Sequence, residues 1–156
     1  MSIIPDRLLS EAVPGGHFDG MERMNDTAVQ RIIAQYPRIS RQYIVFITEI
    51  GIGRPIRDRA PYICEPEPIE TVTNDSSFLL YQGKPYRGIK SFFGLQPPKP
   101  KLPHGALIVS DTGASWRYCF GPELGDKIYC FDNASLEFTV EADDFFSFLA
   151  KYIPVD

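Results

Sequence analysis

The spacing of apolar positions divides the chain into regions of different period. Residues 1–24 hold no sustained repeat, and Pro14-Gly15-Gly16 and Gly20 interrupt them, so they read as a loosely ordered arm. From residue 25 the pattern becomes helical. Val29, Ile32, Ile33 and Tyr36 fall at i, i+3, i+4 and i+7, behind Asn25 or Asp26 as an N-cap. Pro37 stops this helix, because proline disfavours helical geometry in the residue before it. Ser40 is a candidate cap for a second helix, on which Tyr43, Phe46, Ile47 and Ile50 repeat the spacing and Gly51 supplies a C-cap.

Beyond Gly53 the runs shorten and become β-prone. Residues 62–64, 69–73 and 78–81 are predicted strands separated by Pro and Asn-Asp-Ser punctuation, with a further strand at 89–95. Residues 96–103, Gln-Pro-Pro-Lys-Pro-Lys-Leu-Pro, cannot form a ladder and read as a polyproline-like surface connection. Residues 106–110, 116–120, 128–131 and 136–140 then follow, divided by Gly, Asp or Asn, as an antiparallel meander. A closing helix starts at Asp143 or Asp144 and carries Phe145, Phe148, Leu149 and Tyr152, with Pro154 at its end. Two helices, a run of strands and one more helix predict an α+β domain over residues 25–156. The alternating βαβ units of nucleotide-binding folds are missing.

Composition narrows the class. The 156 residues are 44% hydrophobic and 13% aromatic, enough for one packed core and against disorder. A net charge of −4 disfavours a strongly basic nucleic-acid binder. No run approaches the roughly 20 apolar residues needed to cross a bilayer, and the start lacks a basic region followed by an apolar one. Cys64, Cys119 and Cys130 are odd in number and lack C-x-x-C spacing, unlike a secreted disulfide scaffold. The expectation is a soluble cytoplasmic protein.

The search for chemistry is mostly negative. Neither nucleotide-binding glycine motif is present, and Gly51-Ile52-Gly53 ends a helix where that chemistry needs one opened. His17, His104 and the three cysteines lack zinc-finger spacing, so no metal or cofactor is expected. No G-x-S-x-G elbow is found. Asp111, Glu123, Asp126 and Asp132 sit at strand ends, where acids usually form turns, and no catalytic set is assigned. If Tyr118 pairs with Tyr129, then Trp116, Tyr118, Phe120, Tyr129 and Phe131 share one sheet face. Cys119 and Cys130 then lie diagonally on the other, too far apart for a good disulfide.

Charge is segregated. Residues 60–83 carry −4, residues 84–110 carry +5 and residues 111–150 carry −6. Solvated loops and strand edges account for this equally well as an acidic patch that steers a basic protein partner. On the second reading Glu65, Glu67, Glu70, Glu123 and Asp126 form the partner surface. Trp116 is then an aromatic anchor, against its alternative as a core residue of the meander.

Three stretches together resemble the SUKH superfamily, which includes the fungal cell-wall assembly regulator and many bacterial immunity proteins. Residues 39–47, Ile-Ser-Arg-Gln-Tyr-Ile-Val-Phe-Ile, running into Gly51-Ile52-Gly53, are similar to the family's early L-P-x-x-Y-x-x-F-L and N-G-G stretch. Phe92-Phe93-Gly94-Leu95 looks like its aromatic-Gly-Leu segment. Residues 106–131, with Asp111-Thr112-Gly113 and Gly125-Asp126-Lys127-Ile128-Tyr129, and then 144–149, resemble its Asp-Gly meander and closing helix. The chain departs at Ser40, where a proline is usual, at residues 50–53, which lack the family's Asn, and at Trp116-Arg117-Tyr118, which follows Ala114-Ser115 without the usual acidic glycine turn. The resemblance spans about residues 25–153. It implies a non-enzymatic domain that neutralises a cognate nuclease-type polymorphic toxin by direct binding. A regulatory or scaffold module, for which the P-x-x-P spacing in 97–103 speaks, and a small hydrolase are the rival readings.

Overall fold

In the computed structural model, which describes residues 1–56, 60–74, 102–133 and 135–153, helices cover one face of an antiparallel sheet. A short helix α1 (Asp6–Leu9) precedes α2 (Asp26–Gln35) and α3 (Arg41–Glu49). Strand β1 (Tyr62–Pro68) runs into a 3-10 helix (Ile69–Asn74). Strands β2 (Leu107–Asp111), β3 (Trp116–Phe120), β4 (Ile128–Asp132) and β5 (Phe138–Ala142) lead to α4 (Phe145–Ala150). The strands lie in the order β1-β2-β3-β4-β5, each antiparallel to its neighbours. This is the α+β arrangement predicted. The expected strands at 78–81 and 89–95, the connection at 96–101 and the segment 92–95 lie outside the described residues.

Local chemistry sets the helix starts. The Asn25 side chain accepts from the Ala28 N–H at 2.9 Å, and that of Asp144 accepts from Ser147 N–H at 2.8 Å. Ser40 differs from expectation: its hydroxyl is buried without a hydrogen bond, and its carbonyl accepts from Ile44 N–H instead. The neighbouring Gln42 side chain accepts from Phe146 N–H at 3.0 Å, so the start of α3 satisfies a first-turn donor of α4. Gly51 follows the end of α3 at φ +131°, and a Cβ there would meet the Glu22 carbonyl. Only glycine fits, because residue 22 bridges Ile52 and Gly53 in turn bridges Ile63.

The main core lies between the helices and one sheet face. Phe145 packs edge-on or tilted against Tyr43, Phe46, Phe120 and Phe148, with centroids 5.4–6.2 Å apart. All five rings are fully buried. Each such ring gains about 1.5–3 kcal/mol from burial, and favourable ring geometry adds about 0.5–1.5 kcal/mol per pair. Tyr43 reaches past the cluster and donates its hydroxyl to the Cys64 carbonyl at 2.6 Å, joining α3 to β1. The opposite sheet face buries Ile108, Cys119 and Phe131 against Ile69, Leu102 and Ala106.

Three expectations are corrected. Residues 1–24 are part of the fold: α1 places Leu8 in the main core with Ile4 and Phe18, and Arg7 contacts the Ile153 carbonyl. The segment lacks a long period because its apolar residues anchor turns and one helical turn, not a regular face. Residues 69–73 are a 3-10 helix and not a strand. Ile69 donates to the Ala106 carbonyl, while the Thr71 hydroxyl turns back to Pro68 O at 2.7 Å. The β3–β4 register is one residue away from that expected, pairing Tyr118 with Cys130 and Cys119 with Tyr129. Trp116, Tyr118 and Phe120 therefore face the helix side, and Tyr129 and Phe131 the other. Alternation could not choose, because both faces of the central strands are buried.

Because Leu8 is buried in the main core, Leu8→Ala should cost about 2–5 kcal/mol. Urea unfolding should show this as a lower midpoint with an unchanged slope. A change below about 0.5 kcal/mol would return the segment to the status of an arm.

Candidate interaction surface

The six residues singled out for partner contact fall into two places. Glu65 and Glu67 are exposed on β1, and Glu70 lies in the 3-10 helix that follows. Glu123 and Asp126 are exposed in the turn between β3 and β4. Strand register brings these two groups towards one end of the sheet, because Pro68 pairs with Leu107, Leu107 with Phe120 and Phe120 with Ile128. Gly105 approaches Pro122, which closes the path between Glu70 and Glu123. Trp116 starts β3 and so stands at the opposite end, half exposed at 50%. Its alternative as a core residue is thereby excluded.

Glu70 organises the acidic end. Its Oε1 accepts from Gly105 N–H at 2.7 Å and lies 3.3 Å from His104 Nδ1. Burial pushes its pKa up, but the hydrogen bonds from Gly105, from its own N–H and from His104 outweigh that and leave it below the ordinary value. Burial, and then the Glu70 charge, raise the Tyr36 phenol at the end of α2. Glu67 lies 2.8 Å from the Thr71 hydroxyl, whose one proton it shares with the Pro68 carbonyl, and Glu123 lies 3.5 Å from the Tyr129 hydroxyl. Beside Glu65, a shallow groove of about 170 Å³ runs between α2 and β1, lined by Arg31, Gln35, Tyr36 and Pro66.

At the other end the polar groups are tied to one another. Asp111 accepts from Gly113 N–H at 2.6 Å, forming the turn expected of an acid there, and its second oxygen lies 3.6 Å from Arg117 Nε. Trp116 Nε1 donates to Asp132 Oδ2 at 3.3 Å.

Burial holds the three thiols in their protonated form. Burial, followed by nearby acids, pushes Cys64 up to about 12. Burial raises Cys130 to about 11 and Cys119 further still, so all three stay protonated at neutral pH. Cys119 and Cys130 project from opposite sheet faces and cannot share a metal ion or a disulfide. Among the described residues no group of three His, Cys, Asp or Glu side chains could hold a metal ion. Nor is any helix there long and apolar enough to cross a membrane.

Sequence reasoning missed the β5 edge and the pairing of Trp116 with Asp132. The acid-rich run 132–144 was the available signal, but strand order alone shows that it borders an outer strand. Comparisons with models of known protein families, with characterised proteins and with solved structures found no match to the chain.

Because the folded pKa of Glu70 is depressed, its contribution is complete above the ordinary glutamate value and fades as pH falls through the lowered one. The protection of the Gly105 amide, measured against its intrinsic exchange rate, should therefore fall on acidification below about pH 4.5. Glu70→Gln should remove that pH dependence and cost about 0.5–1.5 kcal/mol. A Gly105 protection with the same pH dependence in wild type and variant would contradict the assignment.

Proposed function

We propose that this protein is a non-enzymatic protein-binding domain, an immunity protein that neutralises a cognate, basic, nuclease-type polymorphic toxin by direct binding. The observation that carries the reading is the distribution of charge. Glu67, Glu70, Glu123 and Asp126 collect at one end of the sheet, on side chains held by hydrogen bonds or exposed to solvent. Such a field accelerates encounter with a basic surface and repels other acidic proteins. The sequence resemblance to the SUKH superfamily supplies the class of partner. The raised thiol pKa values argue against a cysteine nucleophile.

The test is co-purification with the product of the gene immediately upstream, across a salt series. A complex at about 50 mM salt that weakens at least tenfold by about 500 mM is expected, since added salt shortens the Debye length. The double variant Glu70→Lys, Glu123→Lys should slow association by about tenfold while changing dissociation little. No complex at low salt would overturn the immunity reading.

A further inference from the structure

The two edges of the sheet are built differently. β1 is closed: Gly53 pairs with Ile63 on its outer side, Tyr43 holds the Cys64 carbonyl, and Pro66 and Pro68 interrupt the rest. β5, Phe-Thr-Val-Glu-Ala, has no proline and, among the described residues, no strand beyond it in the sheet. Asp132 N–H bonds to the Glu137 carbonyl, and bonded pairs alternate along an antiparallel ladder. The backbone N–H and C=O groups of Phe138 and Val140 consequently point outward. Lys151 covers only the next carbonyl, that of Glu141.

The side chains along this edge alternate in character. Phe138 and Val140 lie on one face, where Val140 is 54% exposed and Phe138 stacks on Tyr129 at 4.6 Å. Glu137 and Thr139 lie on the other. Glu137 opposes Asp132, and Asp132 opposes Trp116, so an exposed indole and two carboxylates form one cross-strand row that reaches the edge. Between residues 128 and 150 there are five acids and no Lys or Arg.

We propose that the β5 edge, with the Trp116–Asp132–Glu137 row beside it, seats an extended partner segment of alternating basic and apolar residues as a sixth strand. Its main chain bonds Phe138 and Val140. Its basic side chains lie over the carboxylates and the indole face, and its apolar side chains cover Val140. The inference deepens the protein-binding reading above by naming where and how the partner docks.

The probe is a capped octapeptide of alternating Arg and Val, titrated into the full chain and followed by Trp116 fluorescence and amide exchange. Binding at about 50 mM salt, weakening about tenfold or more by about 500 mM, with new protection at the Phe138 and Val140 amides, is expected. Trp116→Ala and Glu137→Lys should each weaken it severalfold. Val140→Pro should abolish it, and N-methylation of alternate peptide amides tests the same bonds in unaltered protein. No binding, equal binding of the N-methylated peptide, or protection confined to β1 would overturn the proposal. A dimer broken by Val140→Pro, without peptide binding, would assign the edge to a second copy of the chain and also overturn it. If the upstream gene product binds with unchanged affinity to the Val140→Pro variant, the edge proposal fails and the immunity reading stands. If the peptide binds at β5 but the upstream product does not bind, the reverse holds.

Discussion

Phe145 joins the two layers of this fold. It follows the Asp144 cap of α4, touches Tyr43 and Phe46 on α3 and reaches Phe120 on β3. Its partners are separated by tens to a hundred residues of chain, so the contact forms only when the layers are assembled. Gln42 places α4 by accepting from Phe146 N–H, and Tyr43 carries the connection on to the Cys64 carbonyl of β1. With the helix layer fixed on one side, Tyr118, Phe120 and Ile128 bury against it while Cys119 and Phe131 bury on the opposite face, and this division goes with the observed register of β3 against β4.

The same constraint decides where interaction can occur. The central strands bury side chains on both faces, one against the helices and one against Ile69, Leu102 and Ala106. Polar and charged groups are therefore displaced to the ends and edges of the sheet. The acidic end is organised by Glu70, which ties the 3-10 helix to Gly105 through a single carboxylate. The far end holds Trp116, half exposed and donating its Nε1–H to Asp132. Among the described residues, Glu67, Glu123, Asp126 and Glu137 are exposed along this rim.

The parts of this arrangement that could be read in advance share one property: they depend on neighbours close in sequence. Asn25 and Asp144 cap helices through residues three positions away, and Asp111 forms its turn through Gly113. The helical stripes around Val29, Ile32, Tyr43 and Phe46 and the order of β2 to β5 belong to the same class. Ser40 looked equally local, yet burial took its hydroxyl away from the cap position. Residues 1–24 carried no period, because Leu8 and Phe18 are recruited singly by a core made elsewhere.

The sequence by itself determined the α+β order, the helix boundaries near Asn25 and Asp144, and the separation of charge into acidic and basic segments. Each of these depends on residue type and short-range spacing. The tertiary structure alone decided the parity of β4, the exposure of Trp116, the gathering of Glu67, Glu70, Glu123 and Asp126 at one end of the sheet and the place of β5 at its edge among the described strands. The physical reason is the same in each case. Tyr-Cys-Phe fits either face of a strand, and an acid-rich run has no edge to border until the sheet has assembled.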